Sequence, residues 1–264
     1  MTRHLVLPAL LAVFHAMPAS AQQGSEELAK KLSNPVAALI SVPLQLNYDD
    51  NIGPNNGERW TLNVQPVVPI TLNKDWNLIS RTILPITDQK DVVPGSSESG
   101  IGDILQTVFF SPKAPTTKGL IWGAGPVFLL PTASDDLLGA EKWGIGPTGL
   151  VLKQQGPWTF GALANHIWSV AGDESRNDIS STFIQPFMSY TTKTAWTYSL
   201  NTESTYDWKS EQWSVPINAS VSKVTKFGKQ LVSIGGGVRY WAESFDSGPE
   251  DFGLRFVATF LFPK

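Results

Sequence analysis

The chain holds no cysteine in 264 residues and only three histidines. Without cysteine there is no disulfide, no lipoprotein anchor and no thiolate to bind a metal. His4 and His15 fall in the first seventeen residues, so His166 is the one imidazole of the remaining chain, and metal sites of the His/Cys type are excluded. No stretch reaches the ~18 to 20 uninterrupted apolar residues of a membrane-spanning helix, which excludes a helical membrane protein. A formal net charge of -3 argues against a nucleic-acid partner.

What is present begins with an export pattern. Arg3 and His4 precede a run from Leu5 to Met17 that is apolar apart from Pro8 and His15, and Ala19-Ser20-Ala21 offers a small-residue cleavage site. Residues 1–21 therefore read as a secretory signal, with a mature chain expected from Gln22. Residues 22–36 read as a short periplasmic helical segment. Ser25 is placed to cap a helix over 25–32, Glu26 and Glu27 suit its positive end, Lys30 and Lys31 follow four residues on, and Asn34-Pro35 stops it.

From residue 37 to 264 the pattern is that of strands. At the C-terminus Phe252, Leu254, Phe256, Ala258, Phe260 and Phe262 form one face, and Gly253, Arg255, Val257, Thr259 and Leu261 the other. About ten alternating residues suit a tilted strand crossing a bilayer, with lipid on one side and a wet lumen on the other. The same alternation suits an edge strand of a soluble sandwich. Turn chemistry divides the chain into strands near 37–48, 59–72, 76–87, 100–111, 119–130, 143–154, 158–170, 178–191, 195–208, 211–225, 230–241 and 251–262. Twelve is an even number, as single-chain bacterial barrels have.

Three asymmetries favour the barrel over the sandwich. Connections alternate between long (49–58, 88–99, 133–142, 171–177, 242–250) and mostly tight (73–75, 155–157, 192–194, 226–229), matching outer loops and periplasmic turns, with both termini in the periplasm. The long loops and their edges collect acids, Asp49, Asp50, Asp135, Asp136, Asp173 and Glu174 among them, while the short turns carry Lys74, Lys113, Lys118, Lys193, Lys226 and Lys229. Ten tryptophans, from Trp60 to Trp241, cluster near strand ends, as in the two aromatic girdles of a barrel. The acidic loops serve solubility, or bridge divalent ions to lipopolysaccharide phosphates.

Four stretches carry a family resemblance: residues 27–43 (Glu27-Leu-Ala-Lys-Lys-Leu-Ser-Asn-Pro through Pro43), Asn63-Val-Gln-Pro-Val-Val-Pro-Ile70, Trp76-Asn-Leu-Ile-Ser-Arg-Thr-Ile-Leu-Pro85, and Gly100-Ile-Gly-Asp103 through Phe109-Phe-Ser-Pro112. They resemble bacterial proteins often labelled "neuromedin U" or "transporter", a group similar to outer-membrane proteins associated with meta-pathway phenol degradation. The resemblance covers essentially the whole mature chain and brings no catalytic motif.

The expectation is an all-β, transmembrane antiparallel barrel of about twelve strands with a short N-terminal helix. It is read as an outer-membrane channel or passive transporter for a small solute, with no cofactor. A structural or lipid-interacting barrel with a plugged lumen is the second reading, and a lipid-modifying enzyme the third. Parity turns Arg81, Asp103, Glu203, Arg239 and Arg255 into the lumen, because a charge facing lipid costs roughly 2 to 4 kcal/mol near the midplane. These five either set solute selectivity or form a salt-bridged filling. Gln65-Pro66, Gln185-Pro186, Gly125-Pro126 and Gly146-Pro147 mark bulges, kinks or lateral openings. His166 is expected to face lipid near an interface, with Asn165 and Ser169 on the opposite face, so no Ser/His pair suggests itself. Besides lipid and lipopolysaccharide, the expected partner is the barrel assembly machinery, reached through the C-terminal strand.

Overall fold

The computed structural model describes residues 19–263, and the expected signal segment up to Pro18 lies outside them. One helix, α1 (Ala19–Leu32), precedes twelve strands: β1 (Ile40–Ile52), β2 (Gly57–Val64, resuming at Val67–Thr71), β3 (Trp76–Lys90), β4 (Ser97–Ile101, resuming at Ile104–Pro112), β5 (Leu120–Leu130), β6 (Lys142–Gln155), β7 (Trp158–Gly172), β8 (Ser180–Thr191), β9 (Trp196–Thr202, resuming at Ser204–Asp207), β10 (Gln212–Phe227), β11 (Gln230–Glu243) and β12 (Phe252–Phe262). Each strand pairs antiparallel with its sequence neighbours, and β12 pairs with β1 from Ile40↔Phe262 to Tyr48↔Leu254, which closes the ring. A closed antiparallel barrel leaves no edge with unpaired N–H and C=O groups.

Proline explains two of the three interruptions. Pro66 lacks an N–H and Gln65 lies beside Pro43, whose carbonyl accepts from Gln65 N at 2.9 Å. The ladder resumes unshifted at Val67. At Glu203 the flanking strands bring Pro186 and Pro216, and Glu203 N reaches only Pro216 O, at 3.3 Å. The third interruption is a bulge. Four steps along β4, from Ile101 to Leu105, oppose three along β3, from Ile83 to Ile86. The extra residue lies at Gly102-Asp103 and reverses facing parity across it. Pro126 and Pro147 face each other in a continuous β5–β6 ladder, the ladders on their other sides skip the pairs between Thr107 and Phe110 and between Ile145 and Thr148 without a change of register, and Pro186 pairs in register with Ala162.

The two faces separate as alternation requires. In β12, Phe252, Leu254, Phe256 and Phe262 are exposed outward, while Gly253, Arg255, Thr259 and Leu261 are buried. In β9, Trp196, Tyr198 and Leu200 are exposed, and Thr197, Ser199 and Asn201 turn in. Aromatic rings form two belts. Trp76–Trp122 (5.8 Å) and Trp158–Tyr190 (5.0 Å) stand at the short-turn end; Tyr48–Trp60 (4.6 Å), Tyr206–Trp213 (4.9 Å) and Tyr240–Phe252 (5.0 Å) stand at the long-loop end. Trp241 departs from the expectation. It shares the inward face of Arg239 and donates to Asp49.

The helix is longer than the expected 25–32. Ser25 lies inside it and does not cap it, and no acid stands in its first turn. Glu26 pairs with Lys30 at 2.8 Å instead. Its apolar side enters the short-turn mouth of the barrel, where Ala29 packs with Leu39, Ala195, Val224 and Leu261. Gln154 Nε2 donates to Lys30 O at 2.9 Å. Asn34 Oδ1 accepts from Val36 N at 3.0 Å, and Val36 is then buried among Ile79, Phe109, Leu150, Leu152 and Leu163. An isolated helix of this length is marginal in water, so burial against the inner wall is what holds it.

Two glycines in β6 behave differently. A Cβ on Gly146 would collide with the carbonyl of His166 on β7, whereas one on Gly149 would meet nothing closer than Gly123 O at 3.8 Å. Gly146→Ala is therefore expected to destabilise the refolded barrel by about 2 kcal/mol or more in urea titrations, with Gly149→Ala within about 0.5 kcal/mol of the parent.

Candidate functional site: a charged lattice roofing a lumen cavity

Five consecutive strands, β9 to β12 and then β1, contribute polar side chains to one sector of the lumen. Arg255 on β12 grips Glu203 of β9 with both terminal nitrogens, Nη1–Oε1 at 2.9 Å and Nη2–Oε2 at 2.8 Å. Its Nε donates to Asn47 Oδ1 on β1 at 2.8 Å. Arg239 on β11 reaches Asp49 Oδ2 through Nη1 at 2.9 Å and Glu203 Oε2 through Nη2 at 3.1 Å, and its Nε donates to Asn218 Oδ1 at 3.2 Å. Asn218 Nδ2 passes the chain on to Asn201 Oδ1 at 3.0 Å. Trp241 Nε1 donates to Asp49 Oδ1 at 3.0 Å, and the Arg239 guanidinium lies 4.8 Å from the indole centroid. Glycine makes the room, because a Cβ at Gly253 would strike the Asp49 carboxylate.

These contacts neutralise themselves. Two guanidiniums face two carboxylates, and planar forks bind carboxylates with directional, charge-assisted hydrogen bonds. The lattice is thus a fixed crosspiece in the lumen. From the break in the β9 ladder beside Pro186 and Pro216, Glu203 reaches arginines two and three strands away, on β11 and β12.

The remaining expected lumen residues lie elsewhere. Arg81 on β3 faces the cavity below the lattice and donates from Nη2 to Gln65 Oε1 at 3.1 Å. Asp103 does not join the arginines. At the β4 bulge its carboxylate accepts from the backbone amides of Thr132, Ala133 and Ala140 and so holds the loop after β5. Asp49 was missed because β1 runs beyond the expected end at 48 and keeps its parity as far as Asp49, before the irregularity between Asp49 and Ile52; Asn47 lies within the expected strand and was not singled out. Asp49 was read as an outer-loop charge, yet it is buried, and nearby Arg59 Nε donates to Gln89 Oε1 at 2.9 Å. Lys142 is buried too, 3.3 Å from Asp178 at the long-loop rim. Hydrogen bonding from Ser169, then Lys142, holds the Asp178 carboxyl below its ordinary value.

Between the lattice and α1 lies a cavity of about 570 Å³. Ile83, Leu105, Leu163, Phe183 and Phe187 make one wall apolar; Thr197, Ser199, Ser220, Ser222 and Ser233 line the other with hydroxyls. Volumes of this order accommodate small ligands. No group of three or more His, Asp or Glu side chains fit to hold a metal occurs among the described residues.

His166 stands in the long-loop belt, its ring tilted 49° to that of Trp168 with centroids 4.1 Å apart, with Nδ1 2.7 Å from Thr182 Oγ1 and Nε2 3.5 Å from Ser180 Oγ. Trp208 Nε1 donates to the same Thr182 hydroxyl at 2.8 Å. The Thr182 oxygen can accept from Trp208 Nε1 and either accept from or donate to His166 Nδ1, so the direction of the His166 contacts with Thr182 and Ser180 follows the tautomer of the ring.

The lattice yields a test between adjacent residues of opposite parity. Asp49→Asn leaves Arg239 and Arg255 sharing the single carboxylate of Glu203 and is expected to cost about 3 kcal/mol or more. Asp50→Asn, one residue on and facing the other way, stays within about 0.5 kcal/mol. Loss of the compact gel band with rising temperature compares the two.

With this geometry in place, the chain can be set beside known proteins. No curated protein matches it. Among solved structures, the COG4313 outer membrane channel from Pseudomonas putida F1 matches over 85% of this chain and 94% of its own, at 16% identity and a TM-score of 0.65. OmpT of Vibrio cholerae, an outer membrane protein, matches over 85% and 98%, at 8% identity and a TM-score of 0.38. The first likeness concerns the fold, an outer-membrane barrel. None of these matches carries the neuromedin name. A family model described as "putative MetA-pathway of phenol degradation" matches residues 51–260, and the chain belongs to that family.

Proposed function

We propose that this barrel is an outer-membrane channel or passive transporter for small molecules, with the lumen cavity as the waiting site on its path. The observation that carries the reading is the cavity itself: about 570 Å³ inside a closed ring, bounded by a docked helix at one end and a charged lattice at the other. A barrel that served only as a lipid-facing post would gain by filling that volume. Short turns face the periplasm in bacterial barrels, which puts both termini and α1 there and the acidic loops outside, next to lipopolysaccharide. The outward aromatic edge of β12, ending at Phe262, is the element offered to the assembly machinery.

In this reading α1 is the periplasmic gate. Its hold on the wall is an apolar contact of Ala29 and Leu32 with Ala195, Val224 and Leu261, plus the Gln154 bond, and nothing covalent. The second reading, a permanently plugged barrel, draws support from the self-neutralised lattice, which has the form of a structural crosspiece.

Single-channel recordings separate them. A variant lacking residues 22–34, verified by its heat-modifiable gel band, is expected to conduct several-fold more than the parent in planar bilayers. Silence of that correctly folded variant would favour the plug.

A further inference from the structure

We infer that the lumen cavity binds a small organic carboxylate, its headgroup on Arg81 and its apolar body along the β3–β4 wall. This rests on the channel reading for what the bound molecule does next, and adds the class of solute. Four charged side chains line the cavity: Lys31, Arg81, Arg255 and Glu203. The one carboxylate is already engaged. Both Glu203 oxygens are taken by Arg255, and Oε2 also by Arg239. Arg81 forms no ion pair among the described residues, and one of its five donors is used, toward Gln65.

The surroundings make that charge costly. In the ladders Arg81 lies opposite Val67 on β2 and Thr107 on β4, and both line the cavity. Ile83 follows two residues along the same face, with Leu105 beside it on β4 and Phe183 also lining the space. The acid that acts on this charge, Glu203, is already held by two arginines, so a guanidinium on a largely apolar wall stays undercompensated unless an anion arrives with the solute. A planar guanidinium matches a carboxylate in two parallel hydrogen bonds, and the Thr107 hydroxyl is placed to supply a third donor. A phosphate dianion is a poorer fit, because one side of the site is apolar and Arg255 already spends three of its five donors, two on Glu203 and one on Asn47. The ligand therefore pairs one negative headgroup with a short apolar body.

Calorimetry on the full mature protein in phosphatidylcholine nanodiscs, with empty nanodiscs as the blank, tests this with three probes: hexanoate, its planar neutral isostere hexanamide, and acetate. Hexanoate is expected to bind at least about tenfold more tightly than either of the others. In Arg81→Gln the hexanoate affinity should fall to within about twofold of hexanamide. Equal binding of hexanoate and hexanamide by the parent protein, no hexanoate binding, or unchanged affinity in the variant would overturn the inference. The parent comparison decides the matter even if the variant fails to fold. A conducting barrel that ignores hexanoate keeps the channel and loses this site; one that binds hexanoate but never conducts keeps the site and loses the channel.

Discussion

Everything in this barrel depends on pairing the backbone in a medium that offers no water. Each unpaired N–H or C=O in hydrocarbon costs several kcal/mol, so the ladder between β12 and β1 is what makes the other eleven ladders sufficient. Closure then dictates side-chain fate. With period two and no edge, every residue in a strand faces lipid or lumen, and the chemistry of the two sides separates without further specification. That is why polar groups such as Ser199, Asn201, Arg239 and Arg255 converge on one interior.

The interior solves a packing problem that closure creates. Side chains leave a space that the chain partly refills with its own N-terminus, Val36 seating against Ile79 and Phe109 while Ala29 and Leu32 close the mouth. On the opposite side of the lumen the Arg–Glu–Asp lattice ties β9 through β1 across the interior. Between these fillings the 570 Å³ cavity persists, with one greasy wall, one hydroxylated wall and a cation on the greasy side. A lattice that balances its own charges and an arginine that does not are different devices. The first holds shape, and the second waits for a partner.

The strand framework was readable because turn residues and period-two alternation reinforce each other. All twelve strands overlap the spans those signals give, with ends that differ by up to four residues, and the C-terminal strand falls within one residue at its start and none at its end. The site was harder to read. Arg239, Arg255 and Glu203 follow from parity alone, but Asp49 and Trp241 sit where strands outrun their apolar pattern, so they resemble loop or girdle residues in one dimension. Asp103 misleads for the opposite reason: one inserted residue at the Gly102-Asp103 bulge breaks the count, and nothing but the register of β3 against β4 reveals it. The docking of α1 is a tertiary contact between the N-terminus and strands near the C-terminus, which no local pattern encodes.

The division of the chain into a lipid face and a lumen face underlies every functional statement, and β9 is the place to test it, since its alternation is uninterrupted from Trp196 to Asn201. In a chain without native cysteine, single cysteines at Tyr198, Ser199, Leu200 and Asn201 can be probed in intact outer membranes with a water-soluble maleimide. Labelling of Ser199→Cys and Asn201→Cys, with protection of Tyr198→Cys and Leu200→Cys, is the predicted result. Equal labelling of all four, or the reverse pattern, would contradict the account.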